Sequence, residues 1–329
     1  MLPEKRRIII IVAIGIVLLV LTKFSIYGFR PSHITHLKLT EGQMMTTQRL
    51  KNTVTHLSDK IGNRNYVNYQ NLQEAAQYII GTFEGLGYEI EIMEYAIDKI
   101  IYQNIIARSP KKPKNQESII VCAHYDTCFN PGADDNASSV AAMLELARLL
   151  RNEKLKTPIE FIAFVNEEPP FFMTKDMGSF VYADRMKKQQ KKIKAVINLE
   201  MVGYYSDEKH SKRYLPFMGF FYPNRGNFIA LVGNFKSRHI MSNVKKAFKE
   251  NSEFPIESVI APSRMPAINW GDHWSFWMHQ YPAIMVTDTA FLRNPNYHQP
   301  TDLPETLDYE KMTAVVFGLE SAIIALSNK

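Results

Sequence analysis

The sequence predicts an α/β protein: a three-layer α/β/α sandwich on a central, mostly parallel mixed sheet, preceded by one N-terminal transmembrane helix. Three observations carry this expectation. Short apolar runs of strand length alternate with longer stretches of helical period, the pattern of a parallel sheet covered by helices on both faces. Acids and a histidine stand directly after several apolar runs, at the strand ends where ligands bind in such folds. At the start of the chain, Lys5, Arg6 and Arg7 precede the unbroken apolar residues 8–21.

Residues 1–30 form the first unit. A spanning helix needs about 20 residues and a signal-peptide core about 7 to 15, so the run 8–21 is ambiguous by length and its flanks decide. After Lys23, residues 24–29 are again mostly apolar, and Tyr27 and Phe29 crowd Gly28, the one candidate for a small-residue cleavage site. Lys23 can snorkel toward an interface. The expectation is an uncleaved signal anchor with its basic tip in the cytoplasm. It makes the protein single-pass and membrane-anchored, with residues 31–329 on the extracytoplasmic side.

Within 31–329, residues 41–57 and 66–86 carry helical patterns, and 88–95 and 100–107 read as strands. The segment 109–116, with two prolines and three lysines, is an exposed turn. Residues 118–123 form a continuous apolar run, as a strand covered on both faces does. Helix 137–150, strand 159–165, helix 176–190 and strand 195–199 follow, then strand 228–233, helix 237–249, strand 283–287 and helix 308–326. No internal repeat or long low-complexity segment divides this part, so it is one domain.

With 46% hydrophobic and 22% charged residues the chain has the balance of a globular protein with a sizeable core. The net charge of +6 raises the question of an anionic partner. The basic residues are scattered, however, and the densest run, 187–194, reads as a solvated helix end. No basic stripe interleaved with aromatics appears, so nucleic acid is not an expected partner. The two cysteines, Cys122 and Cys128, flank His124 and Asp126 and are read as unpaired thiols beside a site.

The chemistry is concentrated in a few short segments. In His124-Tyr125-Asp126 an extended chain puts residues 124 and 126 on one side, so Asp126 can accept the second imidazole N–H and orient the ring for a metal. Gly132 to Asn136 lead into a helix. Asp134 and Asp135 there suit an N-cap, and equally a carboxylate that holds one metal with each oxygen. Glu167 and Glu168 end a strand and point opposite ways, so one can bind metal while the other acts on water. Glu200 ends another strand, and His298 lies in a proline-rich loop closed by Thr301 and Asp302. Imidazole with carboxylate suits zinc, and two zincs about 3.5 to 4 Å apart form a known hydrolytic arrangement.

The segments His124-Tyr125-Asp126, Gly132 through Ser138, Asn166-Glu167-Glu168, Asn198-Leu199-Glu200-Met201 and Tyr297-His298 resemble, in order, the metal motifs of the co-catalytic di-zinc aminopeptidases. That family, metallopeptidase family twenty-eight, includes bacterial leucyl aminopeptidases and glutamate carboxypeptidases, and the likeness runs from about residue 57 to the C-terminus. The resemblance implies a zinc-exopeptidase fold, two zinc ions per chain and a peptide substrate. It implies that His124 and Glu200 bind one zinc, that Glu168 and His298 bind the other, and that Asp135 bridges them. Asp126 then orients His124, and Glu167 is the general base for a hydroxide held between the metals. A cis peptide is implied between Asp134 and Asp135. Many relatives carry aspartate where Glu200 stands, so its longer side chain must fold back. An aminopeptidase is the first expectation. The rivals are a glutaminyl cyclase with one zinc and a non-catalytic, receptor-like ectodomain; each is expected to lack part of this residue set.

Three further segments stay open, the first two between two readings each. Asp272-His273-Trp274 either lines a substrate pocket or caps an aromatic helix over 275–278. Phe171, Phe172 and Met173 form an apolar wall or a packed loop. Arg64 and Asn65 bind across the domain in a way that spacing does not define.

Overall fold

In the computed structural model, which describes residues 37–110, 117–214, 219 and 222–329, eight strands form one sheet. They are β1 (Glu89–Ile97), β2 (Ile100–Arg108), β3 (Ser118–His124), β4 (Ile159–Phe164), β5 (Ile193–Glu200), β6 (Ile229–Gly233), β7 (Ile256–Ile260) and β8 (Ala283–Thr287). Their order across the sheet is β1-β2-β4-β3-β5-β8-β6-β7. The block β4-β3-β5-β8 is parallel throughout. β1, β2 and the β8–β6 step are antiparallel, and β6 and β7 run parallel to each other. The sheet is therefore mixed with a parallel centre.

The period of two along β3 explains why both faces are covered. Ile119, Val121 and Ala123 face a core shared with Leu50 and Val54 of helix α1 (Glu41–Thr55) and Leu72 and Ile79 of α2 (Tyr69–Gly85). The same core takes Val140 and Leu144 of α3 (Ser139–Leu150), and it is closed by Phe248 of α5 (Arg238–Asn251) and Val315 and Leu319 of α7 (Tyr309–Asn328). Ile120 and Cys122 face the opposite way, against Tyr182 and Met186 of α4 (Gly178–Lys188) and Phe276 and Trp277 of α6 (His273–Met278). Each Val, Leu, Ile, Phe or Met side chain among these, fully removed from water, contributes roughly 1.5 to 3 kcal/mol.

The strands and helices expected from the apolar runs form within a few residues of their expected ends. β7 was not expected. Its sequence, Ile-Glu-Ser-Val-Ile, has no clear apolar run, and only pairing with β6 at the sheet edge makes it a strand.

The N-terminal reading needs correction. The expected anchor, residues 1–30, lies outside the described residues, and among the described residues no helix is long and apolar enough to cross a membrane. The transmembrane helix, the membrane partner and the extracytoplasmic placement are accordingly withdrawn. The apolar run 8–21 is by itself shorter than a span requires.

Candidate metal centre

The carboxyl ends of β4, β3, β5 and β8 lie side by side, and the loops leaving them build the site. β3 ends on His124, which is fully buried. Two residues on, the Asp126 carboxylate accepts the Glu167 N–H at 3.1 Å and the Glu168 N–H at 3.0 Å, tying the end of β3 to the loop after β4. His124 Nδ1 lies 3.2 Å from the Asp126 main-chain oxygen and 3.5 Å from its Oδ1, so the backbone is the nearer partner of the ring.

Gly132 opens the next turn with φ of +60°, and a Cβ there would stand 2.3 Å from the Asp135 carbonyl oxygen and 2.4 Å from Thr127 Cγ2. Only glycine fits both conditions. Asp302 accepts the N–H groups of Asp134 and Asp135 at 2.9 and 3.1 Å. Asn136 donates to the Leu199 carbonyl at 3.2 Å and accepts from Met201 N–H at 2.9 Å, which docks the turn on the end of β5. The cis peptide falls between Asp135 and Asn136, one bond later than the resemblance implies.

This scaffold puts the Asp135 carboxylate between two imidazoles. Its Oδ1 is 3.4 Å from His124 Nε2 and its Oδ2 is 3.2 Å from His298 Nε2. Glu200 Oε1 is 3.1 Å from His124 Nε2, Glu168 Oε1 is 3.4 Å from His298 Nε2, and Glu167 Oε2 is 4.0 Å from His124 Nε2. Six of the seven residues singled out in the sequence thus gather around the Asp135 carboxylate, with Asp126 behind His124, although as many as 174 positions separate them along the chain.

Burial opposes a charge on His124, but Glu200, Asp126 and Asp135 outweigh it and hold the ring well above its ordinary pKa. His298 behaves likewise: burial lowers its pKa, and the adjacent Asp135, Cys128 and Glu168 raise it further than burial lowers it. Burial and the neighbouring Asp135 push Glu168 up to about 7. Glu167 is driven well above the carboxylate range by burial, with His124 opposing and Glu200 and Glu168 adding to the rise. The cluster has too much negative charge for its protons. A single position on each ring nitrogen faces two or more carboxylate oxygens, and a proton there serves one of them while a cation serves all. Buried Glu168 Oε1 meets no well-formed hydrogen bond among the described residues, His298 Nε2 standing 3.4 Å away. Imidazole and carboxylate donors at this density fit zinc.

A cavity of about 220 Å³ opens in front of these groups. Phe172, Trp270, Phe291 and Tyr297 wall it, in edge or tilted contacts with centroids 5.3 to 6.5 Å apart, and Tyr297 stacks on His298 at 3.8 Å. Among the described lining residues Lys212 is the one lysine or arginine; burial lowers its pKa to about 7.

A model of peptidase family M28 matches residues 104–321. The chain belongs to peptidase family M28. This M28 peptidase, a hydrolase, is 39% identical over 282 residues to the YfbL protein of Escherichia coli (strain K12), across 83% of this chain and 86% of that one. Aminopeptidase YwaD of Bacillus subtilis (strain 168) is 41% identical over 116 residues, 34% of this chain and 24% of that one. In fold it is similar to BSAP, a zinc aminopeptidase from Bacillus subtilis, with a TM-score of 0.69 and 18% identity over 86% of this chain and 95% of that one. A glutaminyl cyclase from Bacteroides thetaiotaomicron is similar with a TM-score of 0.62 and 19% identity, over 85% and 97%. Zinc is the metal this kinship implies for the M28 chain.

The open segments also resolve. Asp272 and His273 are fully buried while Trp270 and Gly271 line the cavity, so the segment's contribution sits two residues earlier than its charged pair suggests. Phe172 is cavity wall, whereas Phe171 packs on Tyr66 and Tyr102. Arg64 is buried and donates to the carbonyls of Leu57, Gly62, Tyr125, Pro131 and Gly132, which makes it an anchor for the turn. Nothing local marks Trp270, Phe291 or Lys212 in the sequence, because loops far apart in the chain bring them to the cavity.

Proposed function

We propose that this M28 peptidase is a two-zinc aminopeptidase, His124 and Glu200 holding one ion, Glu168 and His298 the other, and Asp135 lying between them. The observation that carries this reading is the Asp135 carboxylate, whose two oxygens face different histidines at 3.4 and 3.2 Å. Glu200, despite its extra methylene relative to aspartate, comes within 3.1 Å of His124 Nε2. Zinc, when bound, supplies the positive charge that makes water acidic near neutral pH and polarises a peptide carbonyl.

Glu167 is the general base. It lines the cavity while its backbone N–H is held by Asp126, so its carboxylate is presented to the reacting water from a fixed strand end. It accepts the water's proton during attack and passes it to the leaving amine. His124 and His298 are oriented by the Asp126 backbone and by stacking on Tyr297. The aromatic wall receives the side chain of the terminal residue and keeps bulk water from the cleaved bond.

The test compares one peptide sequence in three forms: free at both ends, N-acetylated, and C-terminally amidated. The zinc-loaded chain is expected to release the N-terminal residue from the free and amidated forms and to leave the acetylated one intact. Release from the C-terminus would overturn the aminopeptidase assignment. Ring closure of an N-terminal glutamine without hydrolysis would favour the chemistry named for the glutaminyl cyclase neighbour.

A further inference from the structure

We propose that Cys128 is a further protein donor to the metal on the His298 side, adding a sulfur to Glu168, His298 and Asp135. The inference rests on the two-zinc reading above. Cys128 Sγ, a Glu168 carboxylate oxygen and a ring nitrogen of His298 all lie within 4.8 Å of one another. Zinc–ligand distances of about 2.0 to 2.3 Å place tetrahedral donors roughly 3.3 to 3.8 Å apart, so small side-chain rotations close these three around one ion.

A second observation points to a cation at this corner. Glu168 is only 4% exposed, yet among the described residues its Oε1 meets no well-formed hydrogen bond. His298 Nε2 sits 3.4 Å from that oxygen and 3.2 Å from Asp135 Oδ2, and its one proton cannot answer both. A buried carboxylate oxygen left in this way is costly unless a cation meets it.

The backbone also sets the thiol in place. Thr127 donates its N–H to the Arg64 carbonyl at 2.8 Å, accepts the Arg64 N–H on its hydroxyl at 3.0 Å, and accepts Asn65 Nδ2 at 3.3 Å. Phe129, at φ of +55°, turns the chain back directly after Cys128. Cys122 contrasts with it. That thiol is fully buried in the sheet, 3.6 Å from Asn198 Oδ1, and neither cysteine is in a disulfide. Zinc accepts thiolate beside imidazole and carboxylate. The two metal positions then differ: His298, Glu168, Asp135 and Cys128 make a closed set of four, whereas His124, Glu200 and Asp135 make three and leave a position open, as catalytic zinc sites do.

Cobalt(II) titration of the metal-free full chain tests this. Visible d–d bands report bound metal, and a near-ultraviolet sulfur-to-cobalt charge-transfer band reports a thiolate ligand. Wild type and Cys122→Ser are expected to show both, and Cys128→Ser is expected to keep the visible bands and lose the charge-transfer band. Visible bands without charge transfer in wild type, or charge transfer that survives in Cys128→Ser, would overturn the thiolate and leave the metal centre standing. Absence of both in wild type at saturating cobalt would remove both. A measurement on unmutated protein guards against a misfolded variant. Iodoacetamide labelling at Cys128, mapped by peptide mass, should slow by at least about ten-fold when zinc is bound, and an unchanged rate would count against the proposal.

Discussion

Asp134 and Asp135 are neighbours in the chain, both buried, and they meet opposite surroundings. Asp134 turns toward the protein interior, where its oxygens accept Gly203 N–H at 2.9 Å and Asn294 Nδ2 at 2.7 Å. The acids near it are answered in the same way. Asp288 accepts the N–H groups of Tyr204 and Ala290, and Asp302 accepts those of Asp134 and Asp135. Asp135 turns toward the cavity and meets only side chains that themselves seek a charge: two histidines, with Glu168 and Glu200 beyond them. One set of acids builds the scaffold with amide donors, whereas Asp135 and Glu168 meet none among the described residues and, on the proposed two-zinc reading, are completed by cations. Burial alone does not separate the two kinds; the identity of the donors does.

Metal removal probes this contrast with the largest effect. Chelation should abolish hydrolysis and lower the melting temperature, and zinc should restore both, because an ion bound only to the native state stabilises it. A melting curve unchanged after verified metal loss would mean that the cavity-facing acids need no cation. Next in size, Glu167→Gln should reduce turnover about 10²- to 10⁴-fold with zinc content near wild type, the usual share of general-base catalysis. Glu168→Gln removes an anionic donor, so zinc stoichiometry should fall and activity should partly return at high zinc concentration. The reverse pattern in metal analysis would exchange the roles of these two glutamates.

Asp134→Asn tests the scaffold side. The new amide would face the Asn294 amide donor, and urea denaturation should show a loss of roughly 1 to 3 kcal/mol with both metals retained. Loss of metal equal to that in Glu168→Gln would erase the distinction between the two acids. The smallest effect concerns Lys212, a cavity lysine whose ammonium donates to the Arg213 carbonyl at 2.6 Å and lies over the Tyr214 ring. Burial lowers its pKa from 10.5 to about 7, so the cost of folding around it is full below pH 7 and fades as pH rises toward 10.5. Lys212→Met should therefore raise the melting temperature more at pH 6 than at pH 9. An equal shift at both would show that the ammonium is answered in solution.

The sequence by itself determined the alternation of elements and the identity and order of the chemical residues. His124, Glu167, Glu168 and Glu200 each follow an apolar run long enough to be a strand, and strand ends in a parallel sheet converge on one edge whatever the loops do. His298 has no such marker and was legible only through the likeness of its motif to a family. Tertiary structure decided the rest. The family likeness implies Asp135 rather than Asp134, but the physical reason lies in a turn held by Arg64, Asp302 and the Leu199 carbonyl from three other parts of the chain. The cavity wall draws Phe172, Trp270 and the pair Phe291 and Tyr297 from three separate loops. Periodicity reports burial along one element, because neighbours in a strand or helix are set by local geometry. Facing direction in a turn and convergence of loops are set by contacts between residues far apart in sequence, and no local pattern encodes them.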